Sequence, residues 1–168
     1  MIVYLDNVIV SGKVRSDLNV VEMAAVEKMM IAEQQGRLKT VTSRETWREQ
    51  DRTHDSILRS QLQKDRDSTP VVTNDHKLLG FHFQQDPYGG FVNYPLISEI
   101  VDEALFRELK QKGLKEADAR HLMYAICNNC DRFVTTDPDF LDRRDELKAF
   151  CGKLLISRPS ELVAEMQL

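Results

Sequence analysis

Four short apolar runs rich in β-branched residues, each giving way to a helical stretch, constrain this chain more than any other feature. Ile2–Leu5 stops at Asp6 and Asn7, and residues 39–42 run into Ser43. Residues 133–136 run into Asp137, and residues 153–156 precede a last helix that opens at Pro159. Runs of this kind, separated by amphipathic helices and almost free of hairpin signals, predict a mostly parallel sheet with helices on both faces, a three-layer α/β/α fold. In such a sheet ligand sites form beyond the carboxyl ends of the strands, where strand order reverses. Asp6 and Asp137 both follow a strand and belong to that edge.

Between the strands the helical period is legible. Residues 20–35 place Val20, Met23, Ala24, Val26, Met30 and Ile31 broadly on one side and end at Gly36, while Gly12 reads as part of a loop. Thr42 with Glu45 three residues later has the form of a capping box, with Ser43 as a rival cap. The helix that follows carries Glu45 and Glu49 on one face, and its polar pattern runs on through residues 51–66. Capping accounts for Glu45 and leaves Glu49 unexplained, apart from a solvated helix face. Residues 96–110 read as another amphipathic helix, followed by one bearing Asp118 in its first turn, where an acid suits the helix dipole. Asp137 before Pro138 has the pattern of an N-cap with proline at N1.

A chain of 168 residues, 42% hydrophobic, suits one well-buried core, so residues 1–168 are expected to form a single domain. The exception is an insertion at about residues 68–95, bounded by Pro70 and Pro95 and mixing Gly80, Gly89 and Gly90 with Phe81, His82, Phe83, Tyr88, Phe91 and Tyr94. Its aromatics could form a base-stacking or partner-binding surface, or pack as a lid on the core. Cys127 and Cys130 make a CxxC that closes a helix rather than opening one, and Cys151 is the only further cysteine. A structural zinc site lacks ligands and a redox pair lacks its dipole, so the thiols read as structural. The first residues enter an apolar strand directly and no apolar run reaches the roughly 20 residues of a membrane span, which points to a cytoplasmic protein without membrane association.

The formal net charge of −4 supplies no basic field for nucleic acid. Asp6, Glu49, Asp118 and Asp137 could nonetheless reach one crevice at the sheet edge, where their mutual repulsion would cost several kcal/mol unless a cation compensated it. Oxygen ligands without cysteine or histidine favour Mg²⁺ or Mn²⁺, and Mg²⁺ commonly works on phosphates. If the site lay elsewhere, His76, His82 and Asp86 would be the ligands to consider.

The run from Ile2 to Asn7, the spacing from Ser43 to Glu49, the run from Glu116 to Leu122 and the run from Thr135 to Leu141 together resemble a PIN domain, many bacterial members of which are VapC-like ribonuclease toxins of toxin-antitoxin pairs. The likeness spans nearly the whole chain. It implies that Asp6, Glu49, Asp118 and Asp137 are catalytic. Asp6, Asp118 and Asp137 would be metal ligands with Asp139 as an extra one, and Asn7 and Ser43 would orient substrate. The implied activity is Mg²⁺- or Mn²⁺-dependent cleavage of RNA, with an antitoxin protein as partner and a homo-oligomer as assembly. Asn7 directly after Asp6 is one form of the family's first motif. The long insertion departs from compact toxins. The competing reading is a catalytically inactive PIN-like module that binds RNA or a partner protein.

Overall fold

The computed structural model describes every residue except Asp86, and of Val92 only the backbone. Strand β1 (Ile2–Leu5) leads into helix α1 (Asn7–Arg15), then α2 (Val20–Gln34), β2 (Lys39–Val41), α3 (Arg44–Asp51) and α4 (Ser56–Asp65). A two-stranded excursion, β3 (Lys77–Gln85) and β4 (Phe91–Ser98), is followed by α5 (Glu103–Gln111), α6 (Glu116–Cys127), β5 (Arg132–Val134), α7 (Pro138–Leu141), α8 (Arg144–Cys151), β6 (Leu155–Ser157) and α9 (Pro159–Met166). The central sheet runs β2-β1-β5-β6 with every neighbouring pair parallel. The chain steps one way from β1 to β2 and the other way to β5 and β6, so strand order reverses between β1 and β5, and Asp6 and Asp137 leave the sheet there.

Both faces of the sheet are covered, as a parallel sheet requires. Tyr4 and Phe133 face one core, with Leu109, Leu122, Met123, Phe140 and Leu147 from α5 to α8. Val3 and Val134 face the other, with Ile9, Ala25, Val26, Met29 and Leu162 from α1, α2 and α9. Tyr4 stacks on Phe133, ring centroids 5.4 Å apart, and Phe133 meets Phe140 at 4.7 Å, which fixes β1, β5 and the short α7 against one another beneath the carboxylate edge.

Several local expectations are revised. Residues 7–15 form a helix instead of a loop, because Asp6 caps it through Asn7 N–H and Ile9 and Val10 are buried. At Gly12 a Cβ would lie 2.8 Å from Leu18 Cγ, so α1 packs its glycine against the turn that follows. The core side of α2 is Ala25, Val26, Met29 and Ala32, while Val20, Met30 and Ile31 are exposed. The polar helix does not run unbroken to Arg66. It stops after Asp51, and Asp55 opens α4 by accepting from Ile57 and Leu58 N–H. The insertion is a β-hairpin, and its second strand occupies the start of what reads as the 96–110 helix, which begins only at Glu103 behind the cap Asp102. No helix among the described residues is long and apolar enough to cross a membrane.

Candidate functional site

Asp6 is buried at the end of β1. One carboxylate oxygen caps α1 by accepting from Asn7 N–H at 2.7 Å, and the other accepts from Thr135 Oγ1 at 2.6 Å. Burial drives its pKa up to about 6; His121 and the Thr135 hydroxyl pull against that shift, and the charge of Glu49 adds to it. Asp137, as expected, caps α7 by accepting from Asp139 N–H at 2.8 Å, and its own N–H donates to Thr135 Oγ1 at 2.9 Å. Thr135 therefore ties the two strand-end acids together through one hydroxyl.

Asp118 is half-buried in the first turn of α6, and its pKa is raised by burial and then by the charges of Asp137 and Glu49. One of its carboxylate oxygens, Oδ2, is buried without a hydrogen-bond partner, as is Asn7 Oδ1. Glu49 reaches the same region from α3, where its carboxylate meets His121 Nε2 at 3.0 Å. The fully buried His121 meets Tyr4 Oη at 2.7 Å through Nδ1, and the Tyr4 hydroxyl donates to Ser43 Oγ at 2.6 Å. The Glu49 carboxylate can only accept, so Nε2 carries a proton, while the Tyr4 hydroxyl, able to donate or accept, bridges Ser43 and Nδ1. Burial opposes the imidazolium, but the hydrogen bond that Nε2–H donates to Glu49 and the charges of Asp6, Glu49 and Glu45 outweigh it and raise the His121 pKa. Ser43–Tyr4–His121–Glu49 is thus one relay from the base of α3 to the acid edge.

Ser43 begins α3 without a side-chain cap bond and is fully buried, so it faces Tyr4 and not solvent. Glu45 is no capping-box acid either. It is buried and held by Arg120 Nη2 at 2.9 Å and Arg48 Nη1 at 3.2 Å; burial works against its charge, but the Arg120 hydrogen bond and ion pair hold its carboxyl below the ordinary range. Of the two α3 acids, Glu49 is therefore the one coupled to Asp6 and Asp118. Arg120 also meets Glu116 at 2.5 Å, and Arg48 binds Glu99, the residue after β4, at 2.6 Å. Asp139 stands outside the acid group, ion-paired with Lys115 Nζ at 2.7 Å, and that hydrogen bond and charge lower its pKa. Among the alternative ligands, His76 is engaged by Asp75 Oδ1 at 2.8 Å, His82 is exposed on the hairpin, and Asp86 lies outside the described residues.

No family model matches this chain, and no curated protein matches it. The structure is similar to that of a chain in the crystal structure of VapBC2 from Rickettsia felis bound to a DNA fragment from their promoter. The TM-score is 0.55 at 14% sequence identity, covering 94% of this chain and 98% of that one. The likeness is one of fold. It agrees with the PIN-like α/β architecture, a mostly parallel sheet flanked by helices.

Among the described residues no three His, Cys, Asp or Glu side chains are gathered as a ready ligand set. The donor chemistry nevertheless suits a hard cation: oxygen donors throughout, two of them buried and unpartnered at Asp118 and Asn7, beside Asp6 and Asp118 carboxyls whose pKa burial raises first and neighbouring acid charge raises further. The residue that sequence reasoning missed is His121. Its one sequence signal was its position three residues after Asp118, which puts both on one face of α6.

Proposed function

We propose that this chain is a PIN-like endoribonuclease dependent on Mg²⁺ or Mn²⁺, with Asp6, Asp118 and Asp137 as ligands, Glu49 completing the acid group and Asp139 joining it once released from Lys115. The observation that carries this reading is the buried, unpartnered Asp118 Oδ2 facing acids that already repel it, an arrangement that costs stability and makes chemical sense when a cation takes the vacant lone pair. A bound divalent ion would supply Lewis-acid charge for an RNA phosphodiester and lower the pKa of a water. The chain's own part is to hold the acids in place. Thr135 fixes Asp6 and Asp137, and His121 fixes Glu49 so that its carboxylate can orient a water toward the phosphorus. Asn7 presents its amide at the same edge, and Ser43 acts at a distance by fixing Tyr4. The net charge of −4 makes RNA affinity depend on that cation. By its fold likeness to a chain of VapBC2, the protein is proposed to be the toxin of a pair, held by an antitoxin protein.

The test is incubation of purified protein with structured and unstructured RNA in Mg²⁺, in Mn²⁺ and in EDTA, alongside Asp118→Asn. Cleavage is expected with either metal, abolished by EDTA and by the substitution. If nothing is cut under any metal and metal titration gives no heat, the enzyme reading is wrong. The dispersed ligand set favours the inactive, RNA- or protein-binding module in that event.

A further inference from the structure

The hairpin of β3 and β4 gathers its three phenylalanines on one face and a mixed set of polar and apolar side chains, Tyr94 and Leu96 among them, on the other. Antiparallel partners share a face, and the ladder pairs Phe81 with Pro95, Phe83 with Asn93 and Gln85 with Phe91. On the opposite face lie His82 with Tyr94, Gly80 with Leu96, and Gln84. Strict alternation would put Leu78 on that second face. The irregularity between Leu78 and Gly80 inserts one residue, Leu79, and pairs Leu78 with Ile97, returning Leu78 to the face of the phenylalanines. Leu78, Phe81, Phe83, Phe91, Pro95 and Ile97 thus form a mostly apolar strip, interrupted by Gln85 and Asn93 toward the turn end. An antiparallel sheet ordinarily packs such an aromatic face on a core. Here Phe83 is 68% and Phe91 77% exposed, and the three phenylalanines leave roughly 400 Å² of ring surface in water. A two-stranded ribbon alone is marginally stable at best.

We infer that this strip is covered by the same strip of a second copy of the chain, the two ribbons packing face to face about a two-fold axis. Charge argues against nucleic acid, since β3 and β4 together carry one basic side chain, Lys77, and no arginine. Size argues for a symmetric partner. With Leu78, Pro95 and Ile97 added, two facing strips bury about 1,000 Å² in total, the lower bound of a specific interface, without any second surface having to evolve in step. The base of the ribbon is anchored at the wall of the candidate site. Glu99 binds Arg48 at 2.6 Å and lies 4.0 Å from Arg120 Nε, while its carbonyl accepts from Tyr124 Oη at 2.7 Å. The dimer would join two such walls through their ribbons.

The test is sedimentation velocity of the full chain across a concentration series, with Phe83→Glu/Phe91→Glu as the variant. The wild type should pass from monomer to dimer, and the variant should weaken association about a hundredfold or more with unchanged circular dichroism. A wild type that stays monomeric at high micromolar concentration, or a variant that dimerises equally well, overturns the inference. Should the variant lose its fold, Phe83→Cys in a Cys127→Ser background decides. Disulfide-linked dimers under mild oxidation support the face-to-face strip, and their absence overturns it. Loss of single-stranded RNA binding in the glutamate variant, with no change of mass, would instead make the strip a base-stacking surface. Metal titration and RNA cleavage are read separately, so failure here leaves the proposed nuclease activity standing.

Discussion

Replacing Asp6 by asparagine should raise the stability of the metal-free protein. The carboxyl is buried and its pKa stands at about 6 against 3.8 for an ordinary aspartate, so the native state binds a proton more tightly than the unfolded chain does. A raised acid pKa contributes most at low pH, and that contribution is lost as pH climbs between about 4 and 6. By linkage, the ionised group costs about 3 kcal/mol at pH 7.5 and about 1 kcal/mol at pH 4.5. Asparagine keeps the α1 cap, since its side-chain oxygen can still accept from Asn7 N–H. It forfeits the Thr135 bond to a charged acceptor, worth about 1.5 kcal/mol, and some support for the His121 imidazolium. The net gain at pH 7.5 is about 1 kcal/mol, or a melting temperature higher by about 2–4 °C for a chain of this size. Calorimetry in EDTA at pH 7.5 and 4.5 measures it, and the advantage should vanish or reverse at the lower pH. Saturating Mg²⁺ should stabilise the wild type by about 2.7 kcal/mol at a hundredfold excess over Kd and the variant much less. A variant that melts lower than wild type at pH 7.5, or whose advantage is independent of pH, would refute the picture of Asp6 as a strained, cation-seeking acid.

Two further expectations concern the groups behind the acids. Arg120→Met leaves Glu45 buried without its main counter-charge and should cost about 3–5 kcal/mol in urea unfolding; a loss under 1 kcal/mol would mean that Arg48 alone satisfies Glu45. Tyr4→Phe strands the Ser43 hydroxyl and His121 Nδ1, so it should cost about 1–3 kcal/mol and weaken Mg²⁺ binding about tenfold through Glu49. Calorimetric titration showing unchanged Mg²⁺ affinity would separate the relay from the site.

The parallel sheet was legible because each of its strands is a short apolar run whose neighbours are helical, and the Asp137–Pro138 cap because capping is a contact between adjacent residues. What escaped the sequence depended on partners far away in it. Val8, Ile9 and Val10 prefer strands by propensity, and α1 forms because the strand-end Asp6 caps it and the core on the Val3 side of the sheet takes up Ile9 and Val8. The role of Glu45 was misread because its counter-charge, Arg120, comes from a helix 75 residues later. The hairpin had a local signal in Asp86-Pro87-Tyr88-Gly89-Gly90, masked by the length and mixed composition of the surrounding insertion. His121 escaped because a lone histidine on a helix is ordinary until Tyr4 and Glu49 are seen to close on its two nitrogens.

The Lys115–Asp139 pair gives the acid edge a tethered counterion. Lys115 Nζ is exposed on a flexible stem, and its pKa is raised first by the Asp139 hydrogen bond and charge and then by Asp118 and Asp137. The metal-free edge thus carries its own displaceable positive charge, bound by a pair that salt screens readily. Asp118 and Asp137 would hold the proposed divalent ion in competition with the Lys115 ammonium, and Asp139 would become available as a further ligand once that ammonium is displaced. Ionic strength would then act on the edge in two opposing ways, weakening the attraction for the incoming ion while loosening the latch that competes with it.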